Sequence, residues 1–203
     1  MVCKCMTSFP VVLDEERLLV VDKPSGITSE DAATQLGMKL VHRIDKATSG
    51  LLVLAADARA VQRMQKLLAN GGVERDYWLV AHGRLERGEI SSTLVRDRGD
   101  GLRGSGPDGK PARTMIEILA HDASTTTACA RLATGRTHQI RIHLAESGHP
   151  IVGEKVYVRD YLAARHLLIE APRLMLHAWK LRFYHPMARR EVMLECAPPI
   201  RGG

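Results

Sequence analysis

His42-Arg43-Ile44-Asp45-Lys46-Ala47-Thr48-Ser49-Gly50-Leu51-Leu52-Val53-Leu54 joins a dense polar loop to a short aliphatic run. The run from Leu51 to Ala55 lies between Gly50 and Asp57, which fits an interior strand better than a helix, although over so few residues periodicity alone does not separate the two. The loop sets the Asp45 carboxylate beside an imidazole, two cations and two hydroxyls, at the end of a strand where chemistry is commonly mounted. Gly50 lets the backbone turn tightly into the sheet. Taken alone, this stretch allows two readings. Asp45 serves a reaction, or it closes a turn and pairs with Arg43 or Lys46, as Asp commonly does.

A second stretch, Gly135-Arg136-Thr137-His138-Gln139-Ile140-Arg141-Ile142-His143-Leu144, is followed by Gly148-His149-Pro150-Ile151-Val152-Gly153. Together, HRIDKATSGLLVL and GRTHQIRIHL…GHPIVG resemble the RluA-type pseudouridine synthases, which isomerise uridine in structured RNA. Asp22-Lys23-Pro24-Ser25-Gly26, Arg75-Asp76-Tyr77 and Gly109-Lys110-Pro111-Ala112-Arg113-Thr114 continue the match. Leu176-His177-Ala178 and Phe183-Tyr184-His185-Pro186 complete it near the end. The resemblance covers residues 11 to 198 and implies a catalytic domain over that span, between a mobile start at 1–10 and a tail at 199–203.

Composition bounds the function without naming it. The chain has 203 residues, 45% hydrophobic and 26% charged, which suits one or two ordinary globular lobes. Aromatics make up only 4%, so the core is aliphatic and rings for stacking a run of exposed bases are scarce. A formal charge of +6 suits a polyanionic partner. Charges interrupt every apolar run well short of a membrane span, and the first ten residues lack a signal-peptide core, so the expected location is the cytosol. Cys3, Cys5, Cys129 and Cys196 lack the spacing of a zinc knuckle and are expected to be reduced, unpaired thiols, with no metal and no cofactor.

The order of elements predicts an α+β fold around a mixed, largely antiparallel sheet flanked by helices and loops. Val11–Leu13 and Leu18–Val21 read as short strands, and Ser29 to Gly37 as a helix capped by Ser29 or Asp31. Asp57 to Asn70 reads as an amphipathic helix with Asp57 as its cap, burying Ala60, Met64, Leu67 and Leu68 and leaving Arg59, Arg63 and Lys66 to solvent. Val73 to Ala81 is a strand. Residues 83 to 111, rich in Gly, Arg and Asp, are expected to form an exposed loop or mobile hairpin, either a linker or a flap closing over RNA through Arg96, Arg98 and Arg103. Thr114–Leu119 and Thr125–Leu132 form a hairpin. Thr137 to Ser147 is a helix capped by Thr137, and residues 174–184 and 191–195 are closing strands.

The resemblance also assigns roles. Forming pseudouridine breaks the bond between a ribose carbon and the base nitrogen, turns the base and rejoins it through carbon. That chemistry needs a carboxylate at the sugar. Asp45 is its candidate, Arg141 is expected to pair with it, and Tyr77 is expected to stack on the target base. The uridine has to leave its helical stack to react. Arg43, His42, Arg136, His138 and Lys23 are candidate RNA contacts, Arg136 because helix N-termini favour phosphate. His42, His138 and His177 are expected to be hydrogen-bonded structural residues and not general bases. Glu154 stands where the family pattern has Asp, and Val158 where it has Gly. Both departures are expected to alter a loop and leave the reaction centre alone.

With only about ten residues before the first strand, the expectation is a monomeric, stand-alone catalytic domain without the small RNA-binding domain that some relatives carry. Recognition of a compact stem-loop in tRNA or rRNA then falls to shape and loop contacts. Two other classes compete with this reading. A non-catalytic RNA-binding or folding factor would not need Asp45, Tyr77 and Arg141 intact. A metal-dependent RNA hydrolase would need clustered carboxylates and histidines that the chain lacks.

Overall fold

Period-two apolar patterning and well-placed turns produce most of the elements. The computed structural model describes residues 9–199. The chain divides into two compact units, one formed by residues up to Arg75 together with those from Ala178 onward, the other by Asp76–His177.

The first unit begins with β1 (Val11–Glu15), β2 (Leu18–Lys23), α1 (Ser29–Gln35), β3 (Lys39–Leu40), β4 (Ser49–Ala55) and α2 (Ala58–Ala69). Strand β2 pairs antiparallel with β1 on one side and with β4 on the other, Val20 opposite Val53. Every residue of β4 is buried, so this strand is interior, as its unbroken aliphatic run implied. Leu18, Val20, Val21, Leu52 and Leu54 are completely covered. Each such side chain stabilises the fold by about 1.5–3 kcal/mol. Asp57 caps α2 by accepting from the Ala60 N–H at 2.8 Å, and its basic face of Arg59, Arg63 and Lys66 is exposed, as expected.

Two local expectations are corrected here. Thr28, not Ser29 or Asp31, caps α1, accepting from the Asp31 N–H at 3.0 Å, because the Ser29 hydroxyl is committed to Ile44. The expected mobile start is also too long. Residues 1–8, with Cys3 and Cys5, lie outside the described residues, but Phe9 is buried and Pro10 accepts a backbone bond from Asp22.

The second unit contains most of β5 (Val73–His82), then β6 (Gly88–Val95), β7 (Gly104–Ser105), β8 (Lys110–His121), β9 (Thr125–Leu132), α3 (Gln139–Glu146) and α4 (Arg159–Ala163). Its strands run in the order β5-β9-β8-β6-β7, and each of these pairings is antiparallel. The 83–111 stretch is therefore not a loose loop. Strand β6 pairs with β8 from Gly88 opposite Ile116 to Leu94 opposite Lys110. Leu94 packs with Ala112 and Ile142, so a few apolar residues suffice once the strand is paired. The turn beyond is tied by polar groups. Asp97 accepts from the Gly99 and Gly101 N–H groups, Glu146 holds Ser105, and Arg98 bonds Asp100 and Asp160. Those carboxylates hold the Arg98 guanidinium, one of the three expected in a flap over RNA.

The chain returns to the first unit through β10 (Leu176–Tyr184), which lies beside β4 and pairs antiparallel with β11 (Glu191–Glu195). Gly50 sits at φ +106 with the Ala178 carbonyl where a Cβ would be, 2.3 Å from that position. Only glycine fits there. No helix among the described residues is long and apolar enough to cross a membrane.

Candidate functional site

The Asp45 loop is held by backbone groups from two sides. The Thr48 N–H donates to the Asp45 carbonyl at 3.0 Å, closing a tight turn that leaves Asp45 itself half-buried. The Lys23–Ser29 segment fastens the flanks. Gly26 N–H donates to the Lys46 carbonyl at 2.8 Å, and the Ser25 hydroxyl donates to the Ala47 carbonyl at 2.7 Å. Ser29, buried, bridges both polar groups of Ile44, donating to its carbonyl and accepting from its N–H. Here Asp22-Lys23-Pro24-Ser25-Gly26 finds its purpose as a brace for the neighbouring loop.

Lys23 belongs to that brace, which corrects its assignment as an RNA contact. It is 0% exposed, and its Nζ donates to the Pro24 and Ile27 carbonyls at 2.9 and 2.7 Å. An ammonium enclosed this way satisfies backbone carbonyls and does not reach a phosphate. His42 is likewise structural. Its Nε2 accepts from the Val53 N–H at 3.2 Å, leaving the proton on Nδ1. Burial, then the charge of Arg75, lowers its pKa to about 4, so the ring is neutral at pH 7. Arg43 projects outward and pairs with Glu30 at 3.2 Å between largely exposed side chains.

In the second unit, α3 is buried on every side from Gln139 to Leu144, an unusual load for an eight-residue helix with three polar side chains in that span. Each polar group finds a partner. Gln139 accepts from the Thr134 hydroxyl and the Arg136 N–H and donates to the Arg113 carbonyl and Thr114. His143 lies within hydrogen-bond distance of Thr114 through Nδ1 and of Ser92 through Nε2. Arg141 forks onto Glu154, Nε to Oε2 at 2.7 Å and NH2 to Oε1 at 2.8 Å, with 8% and 1% of the two side chains exposed. Parallel bonds of this kind are the strongest geometry available to a guanidinium.

The carboxylate has further support. Glu154 Oε1 accepts from the backbone N–H groups of Lys155 and Val156 at 2.9 and 2.8 Å. Burial pushes the Glu154 pKa up, but the bonds and charge of Arg141 and those two N–H groups outweigh it, so the carboxyl sits below its ordinary value. Gly153 makes the approach possible. At φ +81 its missing Cβ would fall 2.1 Å from the Arg173 carbonyl. Tyr157 completes the cluster, with the Arg141 guanidinium 5.2 Å from its ring centroid and its hydroxyl 2.6 Å from His138 Nδ1.

One expectation changes here. Helix α3 starts at Gln139 and not at Thr137. Its capping position is His138, in a left-handed conformation at φ 58 without a side-chain cap, a backbone state that the bond to Tyr157 helps to hold. Arg136 is exposed and donates from Nε to the Pro111 carbonyl. The Glu154 departure, expected to alter a loop, lies in one and pairs with Arg141. Sequence reasoning missed the pairing because the two residues stand thirteen apart. The available signal was an acidic residue directly after the apolar run Ile151-Val152, a place where burial demands a partner.

Tyr77 is 8% exposed on β5, opposite Ala130 of β9. His177 is buried. Among the described cysteines, Cys129 and Cys196 are buried and not joined in a disulfide, and burial together with a bond to Asp22 raises the Cys196 thiol to about 12, which removes it as a nucleophile.

Comparison with known proteins gives a consistent result. The sequence pattern described as RNA pseudouridylate synthase matches residues 17–146. The large-subunit ribosomal pseudouridine synthase D of Nitrosomonas europaea is 32% identical across 93% of this chain, which spans 62% of that relative's length. The dual-specificity RNA pseudouridine synthase RluA of Vibrio parahaemolyticus is 32% identical across 92% of the chain and 82% of its own length. In structure, the chain is similar to human RNA Pseudouridylate Synthase Domain Containing 1, with a TM-score of 0.77 and 26% identity over 98% of this chain and 86% of the human one. With a family pattern covering well over half its length and relatives above 30% identity, this chain belongs to the RNA pseudouridylate synthase family.

Proposed function

We propose that this protein converts uridine to pseudouridine in RNA, as a monomer acting in the cytosol without a metal or other cofactor. The observation that carries the reading is the Asp45 loop. A half-exposed carboxylate stands on a turn whose flanks are fixed by Gly26, Ser25 and Ser29, the arrangement expected of a group that meets a substrate. In this reading the Asp45 carboxylate engages the sugar of a flipped uridine, as nucleophile or as counter-charge to the developing cation. Tyr77 stacks on the base and Arg141 acts at the substrate. Arg43 and Arg136, both exposed, contact the RNA backbone. The name of the Nitrosomonas relative supports ribosomal RNA as the substrate class, with a stem-loop of tRNA as the other candidate. The names of both relatives weigh against a non-catalytic RNA-binding factor.

The test is to map pseudouridine in tRNA and rRNA from cells lacking the protein, complemented by the wild type or by Asp45→Ala. The expected result is one or more sites lost without the protein, restored by the wild type and not by Asp45→Ala, with purified protein active in chelator. Restoration by Asp45→Ala would refute the assignment.

A further inference from the structure

We propose that Glu154 is a positioning residue for the reaction. Its carboxylate fixes the plane and reach of the Arg141 guanidinium, and Tyr157 ties that assembly to the left-handed His138 at the head of α3. The inference rests on the functional reading above, in which Arg141 acts at the substrate.

The geometry distinguishes this pair from an ordinary ion pair. Both side chains are almost wholly buried, and the guanidinium is gripped by two parallel bonds instead of one. The carboxylate cannot swing, because the Lys155 and Val156 N–H groups hold Oε1 from behind. Tyr157 bounds the guanidinium on another side and reaches His138 with its hydroxyl. An arginine of three flexible methylenes is thereby given one orientation before substrate arrives, which is how catalytic geometry is preorganised. Glu154 reaches α3 from a backbone held close to the Arg173 carbonyl at Gly153, where only glycine fits.

The experiment measures tritium release from C5 of uridine in tRNA and rRNA labelled with [5-³H]uridine and extracted from cells lacking the protein. The wild type, Glu154→Gln, Glu154→Asp, Arg141→Lys and the Arg141→Lys/Glu154→Gln pair are compared, with folding checked by circular dichroism. Gln keeps the length but turns an amide toward the guanidinium donors. The expected order of kcat is wild type, then Glu154→Asp, then Glu154→Gln at about 10²-fold below wild type, with KM within about twofold throughout. Because Glu154 acts through Arg141, the Gln substitution should cost less than about twofold more in the Arg141→Lys background. Where Glu154→Gln does not fold, Glu154→Asp carries the test through a lowered kcat at constant KM. A folded variant with wild-type kcat, a loss residing in KM, or losses that multiply fully in the double variant would overturn the inference. A wild type that releases no tritium would overturn the functional reading itself and this inference with it, a result distinct from an active wild type beside an unaffected Glu154→Gln.

Discussion

The Asp45 loop and the Arg141 cluster hold their charges in opposite ways. Asp45 is half-buried, and its loop is positioned by backbone and hydroxyl bonds along both flanks. Arg141 is buried and is positioned through its own charged end, by Glu154. A group that has to meet water and substrate is best fixed by its main chain, which leaves the side chain's chemistry available. A buried cation has to be neutralised where it stands, and its counter-ion then sets its geometry. The first arrangement ties the position of the loop to its main chain. The second makes charge and fold inseparable.

Truncating each charge tests this contrast most sharply. Arg141→Ala leaves the Glu154 carboxylate buried without its counter-ion and should destabilise the protein by about 3–5 kcal/mol. Asp45→Ala, at a half-buried position, should cost clearly less than that. Urea denaturation of both variants reads the difference, and equal losses would break the comparison.

His42 gives the next largest effect. With a pKa of about 4 folded and about 6.5 unfolded, the unfolded chain takes up the proton first as pH falls. The stability this neutral ring contributes is thus complete above pH 6.5 and declines toward pH 4. The expected cost between pH 7 and pH 5 is about 2 kcal/mol. Glu154, whose carboxyl lies below its ordinary value, begins to lose its contribution only under more acidic conditions. Denaturation midpoints at the two pH values, compared with those of His42→Gln, isolate the histidine, and an equally steep dependence in that variant would contradict the assignment.

Ser29→Ala removes both bonds to Ile44 and leaves two backbone groups unpaired. It should cost about 1–3 kcal/mol and slow tritium release by loosening the turn that carries Asp45. Unchanged stability would show that the brace is dispensable.

What the residues revealed in advance followed a physical division. Strand β4, helix α2 with its Asp57 cap and the β8–β9 hairpin were legible because their signals, an apolar run, a 3.6-residue period and a turn between β-prone segments, are local. The Thr28 cap was not, since the neighbouring Ser29 competes for the role and is diverted by Ile44. Lys23 looked like a surface cation because nothing nearby in sequence tells that its ammonium will be enclosed by the Pro24 and Ile27 carbonyls. Residues 88–95 looked too polar to order, and they order because β8 supplies the ladder.

By itself, the sequence determined the α+β class, the family and the candidate residues Asp45, Tyr77 and Arg141, because each rests on residue types at short, fixed spacings. Only the tertiary structure decided that Lys23 and His42 turn inward, that 83–111 is built into a sheet, and that Glu154 is the group gripping Arg141. Burial and counter-charge are properties of the neighbours a residue acquires on folding, and those neighbours come from segments that spacing along the chain does not relate.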